Sequence, residues 1–197
     1  MAENIHPLGN STLGRKDKES LLKQKGVVIW LTGLSGSGKS TIAQGVEQLL
    51  HSKGLITKLL DGDNLRTGLN SNLGFSEKDR EENIRRVAEV ANLFKETGII
   101  TICSFVSPTI KIRNSAKRII TDVDFMEVYV NTSFEECAKR DVKGLYKKAL
   151  AGEIKNFTGL DAPFESPSHP NLVIDTTNQS IDESVEMLFN SILERIK

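Results

Sequence analysis

The stretch Trp30 to Ala43 reads WLTGLSGSGKSTIA, and its residue types and spacing can do chemistry. Gly33-Leu-Ser-Gly-Ser-Gly38-Lys39-Ser40 fits the pattern G-x-x-x-x-G-K-[ST] at every position. That chemistry is phosphate binding. Glycines let successive backbone N–H groups turn inward toward phosphate oxygens. A helix that follows aims its positive end at the same place. Lys39 supplies a point charge for β- and γ-phosphates, and Ser40 offers a hydroxyl to Mg²⁺, which prefers oxygen ligands. The candidate nucleotide-binding residues are Gly33, Leu34, Ser35, Gly36, Ser37, Gly38, Lys39, Ser40 and Thr41. A plain glycine-rich turn is the bland alternative. It is disfavoured by the apolar run before the loop and the helix-forming run after it.

A second constellation lies in LDGDNLRTGL, residues 60–69. Asp61 and Asp63 follow an apolar run, where parallel strands end and ligands of open α/β sheets bind. Two acids two residues apart in an extended chain point the same way. One suits taking a proton from an attacking hydroxyl, and the other suits supporting Mg²⁺ through water. A turn with solvated acids is the alternative. Arg80 and Asn83 stand three apart on a predicted helix, hence on one face. The surrounding DREENIRR otherwise reads as a solvated, salt-bridged face. Phe75 by itself reads as a hydrophobic staple or core contact.

The elements that must position these residues alternate along the chain. Strands are expected at VVIWLT (27–32), ITKLLD (56–61), GIITICSF (98–105), DFMEVYVN (124–131) and NLVIDT (171–176). Helices are expected at 40–51, 77–97, about 110–120, from 133, and after a capping box formed by Ser180 and Glu183. Ser76 with Asp79 resembles a capping box for the helix at 77–97. Such alternation implies an α/β fold with a parallel five-stranded sheet between two helical layers. Residues 141–170 break the pattern. They are basic at first and rich in Gly and Pro later, and a loop that long suggests a mobile lid. Residues 1–25 read as an N-terminal extension with a helical patch near Lys18–Gln24, leaving 26–197 as the kinase-like domain.

Bulk composition narrows the function. The chain has 197 residues with 26 basic and 26 acidic side chains, so charge offers no case for nucleic acid or an anionic membrane. No run reaches the ~20 apolar residues of a membrane span. The polar start has no hydrophobic signal core, and cysteine is limited to Cys103 and Cys137, so a reducing cytoplasm is expected. Both cysteines read as small core residues, and His6, His51 and His169 form no constellation. A GTPase would need an N-K-x-D segment, which is absent; DVKG (141–144) fits D-x-x-G but falls in the lid. A small chain with a lid suits a kinase acting on a small molecule, since a lid excludes water that would otherwise accept the phosphoryl group.

The blocks LTGLSGSGKSTIA, LDGDNLRTGLNSNLGFSEKDREENIRRVAEVA, SFVSP and RDVKGLYKKALAGEIKNFTGLDAPFE together resemble the adenylylsulfate kinase (APS kinase) family, from about Gly26 to Asp175. The resemblance implies a three-layer α/β/α P-loop fold like that of nucleoside-monophosphate kinases. It also implies phosphorylation of the ribose 3′-hydroxyl of adenosine 5′-phosphosulfate (APS) by MgATP, giving 3′-phosphoadenosine 5′-phosphosulfate (PAPS) and ADP. Carried over by position, Asp63 orients or deprotonates the 3′-hydroxyl, while Arg66, Arg80 and Asn83 contact phosphosulfate and sugar. Phe75 and Phe157 sandwich the adenine, and Val106 and Ser107 line the substrate site. Lys143 belongs to the lid's KGLYKK block, and Asn156 precedes the stacking Phe157. Relatives are described with a phosphoserine at the position of Ser107, although no base stands near it in the matched blocks. The resemblance further implies a homodimer. The family commonly continues its Ser-Pro step with Tyr-Arg, whereas this chain has Thr109-Ile110; Lys111 and Arg113 are candidates to replace the missing basic group. There is no room for the sulfurylase domain of some relatives, so the chain is expected to act alone. Kinases for gluconate or shikimate, and a silent nucleotide-binding module, are the rival readings.

Overall fold

VVIWLT is apolar throughout because both of its faces are covered. In the computed structural model, which describes residue 4 and residues 13–196, this segment is β1 (Val27–Thr32), the middle strand of five. The others are β2 (Thr57–Asp61), β3 (Ile100–Ser104), β4 (Phe125–Asn131) and β5 (Leu172–Asp175), in the order β2-β3-β1-β4-β5. All pairings are parallel. Val27, Ile29 and Leu31 share one core with α2 (Lys39–Ser52) and α8 (Ile181–Ile196). Val28 and Trp30 share the other with α4 (Glu77–Glu96) and α5 (Ile110–Ile120). The three-layer α/β/α expectation holds, with strand and helix bounds within a few residues.

Caps form where the sequence signals them. Ser180 Oγ accepts from Glu183 N–H while the Glu183 carboxylate accepts from Ser180 N–H. Ser76 caps α4 differently: its hydroxyl accepts from Asp79 N–H and donates to the Asp79 carboxylate, so the acid does not reach the N-cap amide.

Three elements differ from expectation. The N-terminal helix α1 spans Arg15–Leu22, three residues earlier than the expected patch. Arg15 sets that register by pairing with Asp124 through both terminal nitrogens and bonding the Gly26 carbonyl. A short α3 (Gly62–Arg66) follows β2 directly, because the Asp61 carboxylate accepts from Asp63 and Asn64 N–H and starts a helix there. The expected lid carries α7 (Leu145–Leu150) after α6 (Phe134–Arg140). Six residues are too few for a stable isolated helix. Here Asp141 accepts from Tyr146 and Lys147 N–H, and Tyr146 and Ala149 pack with Leu34, Cys137 and Phe157 in a small separate core. Among the described residues no helix is long and apolar enough to cross a membrane.

Candidate active site

Strand register brings the first pieces together at the C-terminal edge of the sheet. Ser104 pairs with Leu31 on one side and Asp61 on the other, so β2 and β3 end beside the strand that feeds the glycine loop. That loop packs tightly: a Cβ on Gly33 would lie 2.5 Å from the Val130 carbonyl, so only glycine fits. The Ser37 carbonyl accepts from the hydroxyls of Thr132 and Thr176, and Arg140 holds Thr176 through its hydroxyl and carbonyl. Lys39 Nζ donates to the Leu34 carbonyl at 2.7 Å and to Ser37 Oγ at 3.3 Å, lying along the loop. Burial lowers its pKa to about 8, with nearby Lys143 adding to the effect.

The two acids work apart. The expectation that they project alike from an extended chain is corrected, since Asp63 already lies in the first turn of α3. Asp61 faces the glycine loop: its Oδ2 accepts from Ser40 Oγ at 2.8 Å, and Ser104 Oγ stands 3.1 Å from the same hydroxyl. Asp63 faces the lid and pairs with Lys143. Mg²⁺ takes one or two protein oxygens and fills its octahedron with phosphate and water. Ser40 and Asp61 form such a set. Among the described residues there is no cluster of three or more His, Cys, Asp and Glu to cage a metal.

A cavity of about 300 Å³ joins these parts to a basic wall. Its lining includes Ser35, Gly36, Gly38, Lys39, Ser40, Thr41, Asp61 and Asp63 at one end and Arg66, Phe75, Arg80, Asn83, Val106, Ser107 and Lys143 at the other. Phe75 is 60 % exposed, so it is neither core nor staple. The Arg66 guanidinium sits 4.3 Å from its ring centroid and that of Arg80 5.7 Å away. Arg66 donates to the Leu73 and Gly74 carbonyls, and Arg80 to the carbonyls of Phe75 and Asn156 and to the Thr158 hydroxyl. Among the described residues no carboxylate is hydrogen-bonded to either guanidinium. Burial pushes both below the usual arginine value, and for Arg80 the positive charge of Arg66 adds to this. Asn70 donates its amide to Asn83 Oδ1 and so fixes that side chain at the wall.

The Val106–Ser107 wall is strained and braced. Ser107 has φ +36° and is buried. Its hydroxyl accepts from Trp30 Nε1 at 3.1 Å and lies 3.1 Å from Thr32 Oγ1, to which it donates. Arg113 donates to the Ser107 carbonyl, the Glu165 carbonyl and the Glu127 carboxylate. Arg113 therefore holds the wall from behind, and Lys111 pairs with Glu81. Neither lines the cavity, so neither replaces the basic group that Thr109-Ile110 lacks.

Four predicted residues do not line the cavity besides the buried Ser37: Gly33, Leu34, Asn156 and Phe157. Phe157 is 8 % exposed, with its ring edge-on to Tyr146 at 4.9 Å, because Tyr146, Leu34 and Cys137 offer it an apolar seat. The structure thus does not bring Phe75 and Phe157 face to face as a clamp. Asn156 adopts φ +58° and presents its carbonyl to Arg80. The sequence reading missed Ser104, Thr132, Arg140, Tyr146 and Thr176. Only the position of Ser104, Thr132 and Thr176 at strand ends offered a signal.

Comparison with known proteins adds an independent line. The adenylylsulphate kinase family model matches residues 25–175. An adenylyl-sulfate kinase of Bacteroides fragilis is 60 % identical over 193 residues, covering 98 % of this chain and 96 % of its own length. One from Clostridium acetobutylicum is 55 % identical over 178 residues, covering 88 % of each chain. The solved APS kinase of Mycobacterium tuberculosis in complex with AMPPNP and APS superposes with a TM-score of 0.83 at 44 % identity, covering 86 % of this chain and 98 % of that one.

Proposed function

The chain belongs to the adenylylsulphate kinase family, and from that premise we propose how its residues divide the work of phosphorylating APS at the 3′-hydroxyl. The protein is an adenylyl-sulfate kinase that uses ATP. The observation that carries the residue assignment is the pair of guanidiniums, Arg66 and Arg80, hydrogen-bonded among the described residues to carbonyls and a hydroxyl rather than to carboxylates, and gathered about an exposed aromatic ring in the cavity that Lys39 also lines. Such a wall suits a flat base joined to a multiply charged anion.

The glycine-loop N–H groups and Lys39 hold the β- and γ-phosphates of ATP. Ser40 would hold Mg²⁺ directly and Asp61 through water; the bound ion neutralises charge on the phosphate oxygens. Phe75 stacks on the adenine of APS, and Arg66, Arg80 and Asn83 take the phosphosulfate and sugar. Asp63 accepts the 3′-hydroxyl proton as that oxygen attacks the γ-phosphorus and the bond to the β-phosphate oxygen breaks, releasing ADP. Lys143 pairs with Asp63, and a substrate anion competes for the same ammonium. Ser107 contributes a wall rather than a nucleophile, since its hydroxyl is buried in bonds to Trp30 and Thr32. Transfer is direct, from ATP to the sugar. Cytoplasmic residence, a homodimer, and a 26–197 kinase domain closed by a lid at about 141–170 complete the proposal.

A coupled assay of ADP release with ATP, run against APS, AMP, gluconate and shikimate, tests the substrate assignment. Turnover is expected with APS alone. Faster turnover with any of the other three would refute it.

A further inference from the structure

One side chain of the lid connects the two ends of the cavity. The Tyr146 hydroxyl donates to the Ser35 carbonyl at 2.7 Å. That carbonyl and the Gly36 N–H belong to one trans peptide, so they point in opposite directions. Holding the carbonyl outward on the lid aims the Gly36 N–H inward, where successive N–H groups form an anion nest. Helix α6 backs the same peptide: a Cβ on Gly36 would lie 3.3 Å from the Cys137 carbonyl. On its other side, Tyr146 meets the Phe157 ring edge-on at 4.9 Å. The neighbours of Phe157 are held by Arg80, which donates to the Asn156 carbonyl at 2.7 Å and to Thr158 Oγ1 at 3.1 Å. A continuous path therefore runs from Arg80 through residues 156–158 and the Tyr146 ring to the Ser35–Gly36 peptide.

We propose that Tyr146 is a positioning residue through which APS at the basic wall tightens nucleotide binding at the glycine loop. A substrate that fixes Arg80 also fixes residues 156–158, the phenol resting on them, and the aim of the Gly36 N–H. Coupling of this kind is reciprocal, so the nucleotide tightens APS by the same factor. The inference rests on the assignment of Arg80 to the APS end of the cavity.

The test titrates the full chain with a nonhydrolysable ATP analogue and Mg²⁺, with and without saturating APS. Wild type, Tyr146→Phe and Phe157→Leu are compared, and each variant's Tm is recorded. One neutral hydrogen bond corresponds to a roughly two- to tenfold effect, so wild-type affinity should rise about that much with APS. In Tyr146→Phe, which keeps the ring, the enhancement should fall toward one while Tm stays near wild type. Phe157→Leu should lose it too. A merely structural tyrosine would lower Tm and leave the enhancement intact, and that result overturns the inference. So does a wild type without enhancement. A wild type that forms PAPS yet keeps its enhancement in Tyr146→Phe refutes the coupling alone. A wild type that forms no PAPS refutes the functional reading and the coupling with it.

Discussion

Nucleotide binding should take up protons near pH 8, and Lys39 is the group that takes them. Its Nζ is buried, and among the described residues its hydrogen bonds go to the neutral Leu34 carbonyl and Ser37 hydroxyl. Burial brings its pKa from 10.5 to about 8. That gap corresponds to about 3 kcal/mol disfavouring the charged form in the free enzyme. The folded value is the lower one, so between those two pH values the unfolded chain binds more protons. The stability of the free enzyme therefore rises with pH across that window. A bound triphosphate supplies the missing counter-charge and returns the pKa upward. Uptake on binding is then about 0.1 proton at pH 7, about 0.5 at pH 8 and about 0.9 at pH 9. The nucleotide's own phosphates are ionised at the upper end and add little there. Calorimetric titration with an ATP analogue, in two buffers of different ionisation enthalpy at each pH, measures the uptake directly. Lys39→Met should abolish it. A wild-type uptake that stays flat from pH 7 to 9, or one that survives in Lys39→Met, would refute the reasoning.

Asp63→Asn should lower kcat far more than it weakens APS binding, because its hydrogen bond strengthens only as the hydroxyl gives up its proton; steady-state kinetics with a normal kcat and a raised KM would make Asp63 a binding residue only. Phe75→Ala should weaken APS binding about tenfold, as loss of one stacked face implies, with little change in Tm because the ring is exposed. Phe157→Ala should instead destabilise by about 3 kcal/mol or more, the usual range for emptying a buried phenyl site; equal Tm values in the two variants would contradict that division. Ser107→Ala should keep substantial PAPS formation while losing about 1–2 kcal/mol of stability, since Trp30 Nε1 loses its acceptor. A phosphoenzyme seen by rapid quench with γ-labelled ATP, forming and decaying at the turnover rate, would overturn direct transfer.

Much of this protein was legible in its sequence because the signals are local. Glycine spacing between a buried strand and a helix defines a phosphate loop whatever surrounds it, and VVIWLT needs no partner to read as a two-sided strand. Ser180 with Glu183 announces α8 for the same reason. Tertiary structure decided what depends on distant partners. Asp61 and Asp63 part company because Ser40 and Lys143, 21 and 80 residues away, draw them apart. Phe75 stays in the open because two arginines flank it, whereas Phe157 finds an apolar seat beside Tyr146. Arg113, a candidate substrate contact by sequence, is held behind the Ser107 wall by Glu127 and Glu165. Nothing in KGLYKKAL announces that its tyrosine reaches 111 residues back to the glycine loop. Periodicity and capping are written in neighbours along the chain, whereas the aim of a buried polar group is set by whichever partner the fold brings to it.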